Sequence, residues 1–228
     1  IMETCKTKIV SIVLHPKFFI MQEEILTQFK LLVFKRGIKA VSIDDIAREM
    51  KISKKTIYQH FEDKEDLVKK LLKKHLDEHK IIIEKIHEES EDVIRELLLI
   101  MQCSTHMLTQ INPIVFEDLK HYYKKAWNNF EEFKKEYVLG RIKKTLEKGQ
   151  KQKLIRKNIP LDLMAQLRLK EIELLMDYQF IRSFNMSIQE IQKNITEYFI
   201  LGVGTPKGIK KMYEYLENPE KIKFNYNC

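Results

Sequence analysis

Ile25, Phe29, Leu32 and Val33 fall on one face of a helical repeat, and Gly37 ends that repeat as a C-terminal cap. The pattern predicts a first helix from about Met21. Ser42 then opens a second helix as N-cap, with Asp45 completing a capping box and Val41 and Ile46 flanking it as a hydrophobic staple. Ser53 repeats the device with Ile52 and Ile57 as its staple, and this third helix is expected to end at Phe61. Only Lys51 and Ile52 separate Met50 from Ser53. Two short capped helices joined so tightly predict a helix-turn-helix.

Asp63 caps a fourth helix whose apolar stripe is Leu67, Leu71, Leu72, Leu76 and Ile86, with no Pro or Gly before Glu89. At ~1.5 Å per residue it would span nearly ~40 Å, enough to join two domains. Later helices are predicted from about Glu91 to Gln110, Pro113 to Tyr123, Ala126 to Gln150 and Leu161 to Phe184. Another starts at Ser187, boxed by Glu190 and stapled by Met186 and Ile191, and Thr205-Pro206 opens a last short one. No run of alternating β-branched residues between turn signals competes with this pattern. The expected fold class is therefore all-α. A three-helix helix-turn-helix unit over 21–66 is joined by the long helix to a helical remainder over 67–228. Residues 1–20 read as an N-terminal extension to which the sequence assigns no role, with Met21 a candidate natural start. The apolar stretch there is short and interrupted by Pro16, unlike a signal peptide.

Composition agrees with helix: only 6 Gly and 5 Pro occur in 228 residues. The net charge of +8, from 41 Lys and Arg against 33 Asp and Glu, suits a polyanion-binding surface without proving one. Cys5, Cys103 and Cys228 are odd in number and far apart, which points to a reducing, cytoplasmic setting rather than a disulfide framework. No apolar run approaches the ~18 residues of a membrane span.

Location says more than total charge. In the third helix Ile57 and Phe61 face the core with Ile46, Ala47 and Met50. The opposite face carries Lys54, Lys55, Tyr58 and Gln59, with no acid among them. A helix of this size suits the DNA major groove, where Lys can donate to guanine and Gln can bond adenine in a bidentate way. Its N-terminal N–H groups suit a phosphate. Any charge cluster can also be an ordinary solvated face. Here two caps, a short turn and an acid-free face coincide, which favours DNA.

The segment EEILTQFKLLVFKRGIKAVSIDDIAREMKISKKTIYQHFEDKEDLVKKLL resembles, without a gap, the DNA-binding domain of the TetR family of transcriptional regulators. The specific elements are the helix ending in Arg-Gly, then SIDDIA, SKKTIYQHF and DKEDL. The resemblance implies that Ser42, Thr56, Tyr58, His60 and Lys64 grip phosphates, while Lys54, Lys55 and Gln59 read base edges. Ser53, which caps the same helix, completes the candidate DNA-binding set. Lys51 departs from the family pattern, which commonly has Gly in the turn. If that position needs φ > 0, Lys costs ~1 kcal/mol or more there.

Over the remaining two thirds the resemblance is architectural. It implies an effector buried among the middle helices and dimerisation through the last two long ones. The stretch Leu161–Phe184 carries Leu163, Leu167, Leu174, Leu175, Tyr178 and Ile181, more apolar surface than one core-facing stripe needs. The helix after it adds Ile188, Ile191, Ile195 and Phe199. Leu167, Leu174, Tyr178, Ile191 and Ile195 are the candidate interface, the alternative being a monomer's core. Two-fold pairing would suit a palindromic site on double-stranded operator DNA. Met101, Met107, Phe116, Tyr122, Tyr123, Trp127, Phe130, Tyr137 and Met176 form a Met and aromatic set. Such a set is more often core than ligand box, yet adaptable Met with rigid aromatics would line a cavity well. Met107, Phe116, Trp127 and Tyr137 are the candidates for a small-molecule effector pocket.

Other constellations carry less. His75 and His79 lie four apart, as do metal ligands, but no third ligand is evident, and Cys103 with His106 does not supply one by sequence alone. No metal or cofactor is therefore expected. GVGTPKG lacks the preceding strand and the Gly-Lys-Ser/Thr ending of a phosphate loop. The lysine-rich stretch 120–157 could be a second nucleic-acid surface, although a solvated helix face is the commoner case. No nucleophile–base pair is suggested, so enzyme chemistry has no residues to stand on. The expectation is a cytoplasmic, homodimeric, ligand-released repressor. An effector would tilt the fourth helix, which carries Lys64 at its DNA end. The alternative is an effector-independent DNA-binding or assembly protein.

Overall fold

Local capping sets the boundaries of the first helices. The computed structural model describes residues 16–223, and over them the chain is all-α. Residues 1–15, most of the expected extension, lie outside the described residues, as do Cys5 and Cys228. Helix α1 (Pro16–Arg36) starts before Met21, so residues 16–20 belong to it. Pro is favoured at a first helical position, and Phe18 stacks on His60 with ring centroids 4.1 Å apart.

Helix α2 (Ile43–Met50) has the expected box: the Ser42 hydroxyl accepts from the Asp45 N–H, and the Asp45 carboxylate accepts from the Ser42 N–H. It closes through Lys51 at φ 56, with the Ile52 N–H donating to the Ala47 carbonyl at 3.0 Å. Lys51 thus holds the left-handed conformation that Gly would adopt without strain. Helix α3 (Lys54–Tyr58) is capped by Ser53 and is shorter than expected. Gln59 and His60 lie in the turn that follows it.

Helix α4 (Lys64–Glu89) runs 26 residues from its Asp63 cap. Helix α5 (Val93–Gln110) starts later than predicted because the Asp92 carboxylate accepts from the N–H groups of Ile94 and Arg95. Then come α6 (Ile114–Tyr122) and α7 (Lys124–Phe133). A π-helical turn over Lys134–Val138 connects α7 to α8 (Leu139–Lys151) where the sequence predicted regular helix. The single helix expected over Leu161–Phe184 is two, α9 (Leu161–Leu174) and α10 (Tyr178–Arg182). Asp177 explains the break: its carboxylate accepts from the N–H groups of Gln179 and Phe180 and starts a new helix. Helix α11 (Ile188–Val203) keeps the predicted Ser187–Glu190 box, and Thr205 caps α12 (Pro206–Glu217).

Two large cores form. One joins Ile25, Phe29, Ile46, Ile57, Phe61 and Leu67 with Ile111, Val115 and Leu119 from around α6. The other joins Ile83 and Ile86 with Ile94, Leu98, Leu146, Ile155 and Ile200. Helix α4 therefore serves both. Cys103 is buried in α5. Among the described residues no helix is long and apolar enough to cross a membrane.

The loop between α1 and α2 is clasped from α4 and from the α5–α6 region. The Asn112 N–H donates to the Phe34 carbonyl at 2.8 Å, and the Lys39 N–H donates to the buried Asp118 carboxylate at 2.8 Å. The Lys64 ammonium of α4 donates to the Ile38 carbonyl at 2.7 Å. Gly37 has φ 87, and a Cβ there would lie 2.6 Å from Ile114 Cγ2. Gly37→Ala is expected to destabilise by about 1–3 kcal/mol, from backbone strain and the clash together. Lys51→Gly is expected to stabilise by about 0.5–1 kcal/mol, its relief of strain offset in part by a freer unfolded chain. Urea unfolding midpoints of the two variants check both signs.

Candidate nucleic-acid interface and internal cavity

Helix α3 turns Ile57 fully inward and leaves Lys55, Tyr58 and Gln59 facing out. Tyr58 is 52% exposed, which is unusual for so large a ring with nothing packed on it. Lys54 is also exposed but pairs with Asp44 of α2 at 2.5 Å, so the face free of acids in sequence gains one in space. Exposed pairs of this kind are worth only ~0–1 kcal/mol, and a phosphate can displace one. Ser42 and Ser53 cap α2 and α3, and the Thr56 hydroxyl shares a 2.9 Å hydrogen bond with Ser53.

Two residues expected to grip phosphates face elsewhere. The His60 ring lies against Phe18 with a buried Nδ1 that has no hydrogen-bond partner. Burial and the nearby Lys70 charge hold its pKa below the usual histidine value. Both effects disfavour the charged ring and so a cationic grip. The Lys64 ammonium points inward to the Ile38 carbonyl, and burial lowers its pKa as well. It ties α4 to the α1–α2 loop.

A cavity of about 160 Å³ lies between the two cores. Its wall is mostly apolar and comes from α4 to α8, the π-helical turn, α9 and α11. Of the predicted pocket residues Met107, Phe116 and Tyr137 line it. Trp127 does not: it packs on the N-terminal core, 5.6 Å from the Phe130 ring, which does reach the cavity. The charged groups of the wall are already paired, and its one serine hydroxyl is Ser104. Lys134 bonds Glu131 and Glu173 at 2.8 and 2.7 Å, and Arg141 bonds Glu84 at 2.6 Å. The Tyr137 hydroxyl donates to the same Glu84 carboxylate, and burial together with that bond raises its pKa. Arg168 bonds Glu171 and the Thr196 hydroxyl, and Gln192 bonds Thr105 and the Met101 carbonyl.

His75 and His79 of α4 are the exceptions. Both nitrogens of His75 and Nε2 of His79 are buried without a hydrogen-bond partner. Burial, then the Lys30 and His79 charges, pull the His75 pKa down to about 4, and burial lowers that of His79. Among the described residues no third acid, cysteine or histidine joins them to hold a metal.

The candidate dimer residues divide. Leu167 and Leu174 of α9 are 46% and 39% exposed and lie on the same outer face as Leu163. Ile191 is 5% exposed, buried with Leu108 and Leu175 in a third small cluster against which Ile195 also packs. These two serve the chain's own packing because the residues around the α9–α10 break fold back onto them. Tyr178 is half-buried, its hydroxyl accepting from Arg182. The exposed apolar positions of α11 are instead Tyr198 and Leu201, which the sequence reading omitted.

Residues 31–71 match the profile of the bacterial regulatory proteins, tetR family. Over that span the chain is similar to the regulators of this family. An uncharacterized HTH-type transcriptional regulator, YvaF of Bacillus subtilis (strain 168), is 24% identical over 185 residues, covering 80% of this chain and 95% of that protein. In fold the chain is similar to the fatty acid degradation regulator FadR from Bacillus halodurans, at TM-score 0.65 and 17% identity over 82% of this chain and 95% of that one. FadR from Bacillus subtilis, solved in complex with stearoyl-CoA, gives TM-score 0.64 and 18% identity over 81% of this chain and 99% of that one. A TetR-family transcriptional regulator from Agrobacterium tumefaciens gives TM-score 0.66 and 16% identity over 82% and 100%.

Sequence reasoning missed the charged cavity residues to different degrees. Arg168 sits in register with buried Ala165 and Leu169, and a charge on a buried stripe was a readable signal. Lys134 gave none, because the π-helical turn alters the register that a regular helix would have had. His75 makes stability depend on pH. Its folded pKa near 4 lies below the unfolded value, so the unfolded chain binds the extra proton between about pH 6.5 and 4. The contribution of the neutral ring is complete above about pH 6.5 and is lost as pH falls toward 4. His75→Leu should flatten that part of the curve of unfolding midpoint against pH.

Proposed function

We propose that the protein is a homodimeric TetR-type transcriptional repressor that leaves a palindromic operator when a small molecule fills the internal cavity. The observation that carries the reading is that the α1–α2 loop, next to α2 and α3, and the cavity share one set of hydrogen-bonding contacts. Helix α4 lines the cavity with His75 and His79 and clasps the α1–α2 loop with Lys64. On the other side Ile111 and Phe116 line the cavity, while Asn112 and Asp118 between and beside them clasp the same region. A ligand that moved either wall would shift the loop and with it α2 and α3. Coupling of ~1–3 kcal/mol would weaken operator binding about 5- to 150-fold. FadR of Bacillus subtilis, solved with stearoyl-CoA, supports a ligand-responsive reading of this architecture. The cavity counts against an effector-independent DNA binder, which has no use for one.

Lys55, Tyr58 and Gln59 are the proposed contacts to DNA, with Lys54 available once it leaves Asp44. The test is a duplex selected by the protein from a random pool. Simultaneous Lys55→Ala, Tyr58→Ala and Gln59→Ala should abolish preference for it, at ~1–3 kcal/mol per good base contact. Binding that survives the triple change intact would mean that another element reads the DNA.

For the dimer, α9 and α11 pack side by side and leave Leu163, Leu167, Leu174, Tyr198 and Leu201 uncovered. A second copy related by two-fold symmetry would cover both helices in a four-helix interface. Leu167→Glu with Leu201→Glu should give a folded monomer in sedimentation, with operator affinity reduced at least tenfold. Ile191→Glu should instead unfold the region, since Ile191 is buried in the chain's own packing.

A further inference from the structure

We infer that the cavity ligand is a small uncharged molecule bearing a hydroxyl group, which His75 and His79 hold between them. The inference deepens the effector reading proposed above and rests on it only for the claim that binding regulates DNA.

Charge balance gives the first argument. The cations in the wall, Lys134, Arg141 and Arg168, each already bond a carboxylate of this chain. An anionic ligand finds no spare cation, and a cationic ligand would have to take a carboxylate from its present partner. Either would bring an uncompensated charge into a low-dielectric space, which is costly. The ligand is therefore neutral.

Hydrogen-bond capacity gives the second. The imidazole nitrogens of His75 and the Nε2 of His79 are buried without a partner, which native interiors rarely tolerate. The low pKa of His75 means a neutral ring, with one N–H donor and one bare acceptor. The two histidines are one helical turn apart on α4, and both line the same cavity. A carbonyl only accepts and an ammonium only donates. A hydroxyl does both, so it serves this pair in either tautomer.

Size gives the third. An apolar cavity of ~150 Å³ takes benzene, and this one is about 160 Å³ with Leu, Ile, Met and Phe over most of its wall. A phenol or an alcohol of similar bulk fits that description, with its ring or chain against Phe116, Phe130 and Phe133.

The experiment is calorimetric titration of the full chain with 4-ethylphenol, 4-ethyltoluene, 4-ethylbenzoate and 4-ethylbenzylammonium. The phenol should bind at least ~10-fold tighter than the other three, since only it satisfies the histidines. In the variant combining His75→Leu and His79→Leu, its advantage over 4-ethyltoluene should fall to within about twofold. Removing unpartnered buried polar groups should not unfold the chain, and circular dichroism checks this. If that variant fails to fold, histidine nitrogen resonances of the unmodified protein decide: they should shift with 4-ethylphenol and not with 4-ethyltoluene. Equal or better binding of the benzoate or the ammonium compound would overturn the inference. So would a phenol preference that survives in the double variant, no binding of any of the four at 1 mM, or stoichiometric Zn²⁺ uptake by the histidine pair. The effector role is read separately, from displacement of the selected duplex. Binding at the histidines without displacement supports the ligand class and removes the regulatory reading.

Discussion

Helix α4 is a single rigid element buried at each end in a different core. Leu67, Val68 and Leu71 lock its first turns to α1–α3, and Ile83 and Ile86 lock its last turns beneath α5 and α8. An uninterrupted helix of 26 residues spans about 39 Å, so it cannot adjust one end independently of the other. Its middle, where His75 and His79 lie, borders the cavity between the cores. Close packing elsewhere makes such a void a place where a small change in occupancy can be felt as movement.

The α1–α2 loop is where that movement would reach α2 and α3. It is held by main-chain and carboxylate hydrogen bonds from the α5–α6 region and by the ammonium of α4, not by a broad apolar contact. Hydrogen bonds are directional and fall off steeply with geometry, so modest displacement of either wall changes them. Gly37 lets α6 approach the loop closely, since any side chain there would meet Ile114. Turning Lys64 inward adds a tie to this joint. Lys55 and Tyr58 stay outward because the burial of Ile57 and Phe61 orients α3.

Much of this was legible from residues a few positions apart. The caps at Ser42, Ser53, Asp63, Ser187 and Thr205 place helix starts where the chain alone says they belong. A side-chain oxygen and an N–H three residues on form a local pair that needs no tertiary partner. Failures came where a local device was overlooked or where distant packing decided. Asp177 is a cap that went unread, and the break it makes lets Leu175 and Phe180 pack with Ile191 and Ile195 within the chain. Trp127 was grouped with the cavity by type, yet its position on α7 faces the N-terminal core.

The sequence by itself determined the helix-turn-helix, the outward face of α3, the length of α4 and the all-α class, because these follow from capping and periodicity within a few turns of chain. The tertiary structure alone decided which charges are paired, which histidines lack partners and which apolar faces are left uncovered. Pairing Lys134 with Glu173, or Arg141 with Glu84, brings together residues far apart in sequence. His75 and His79 had the spacing of a metal pair in sequence, and only the surrounding helices show that they line a mostly apolar cavity. Burial and partnership depend on contacts between distant segments, and local pattern carries no record of those.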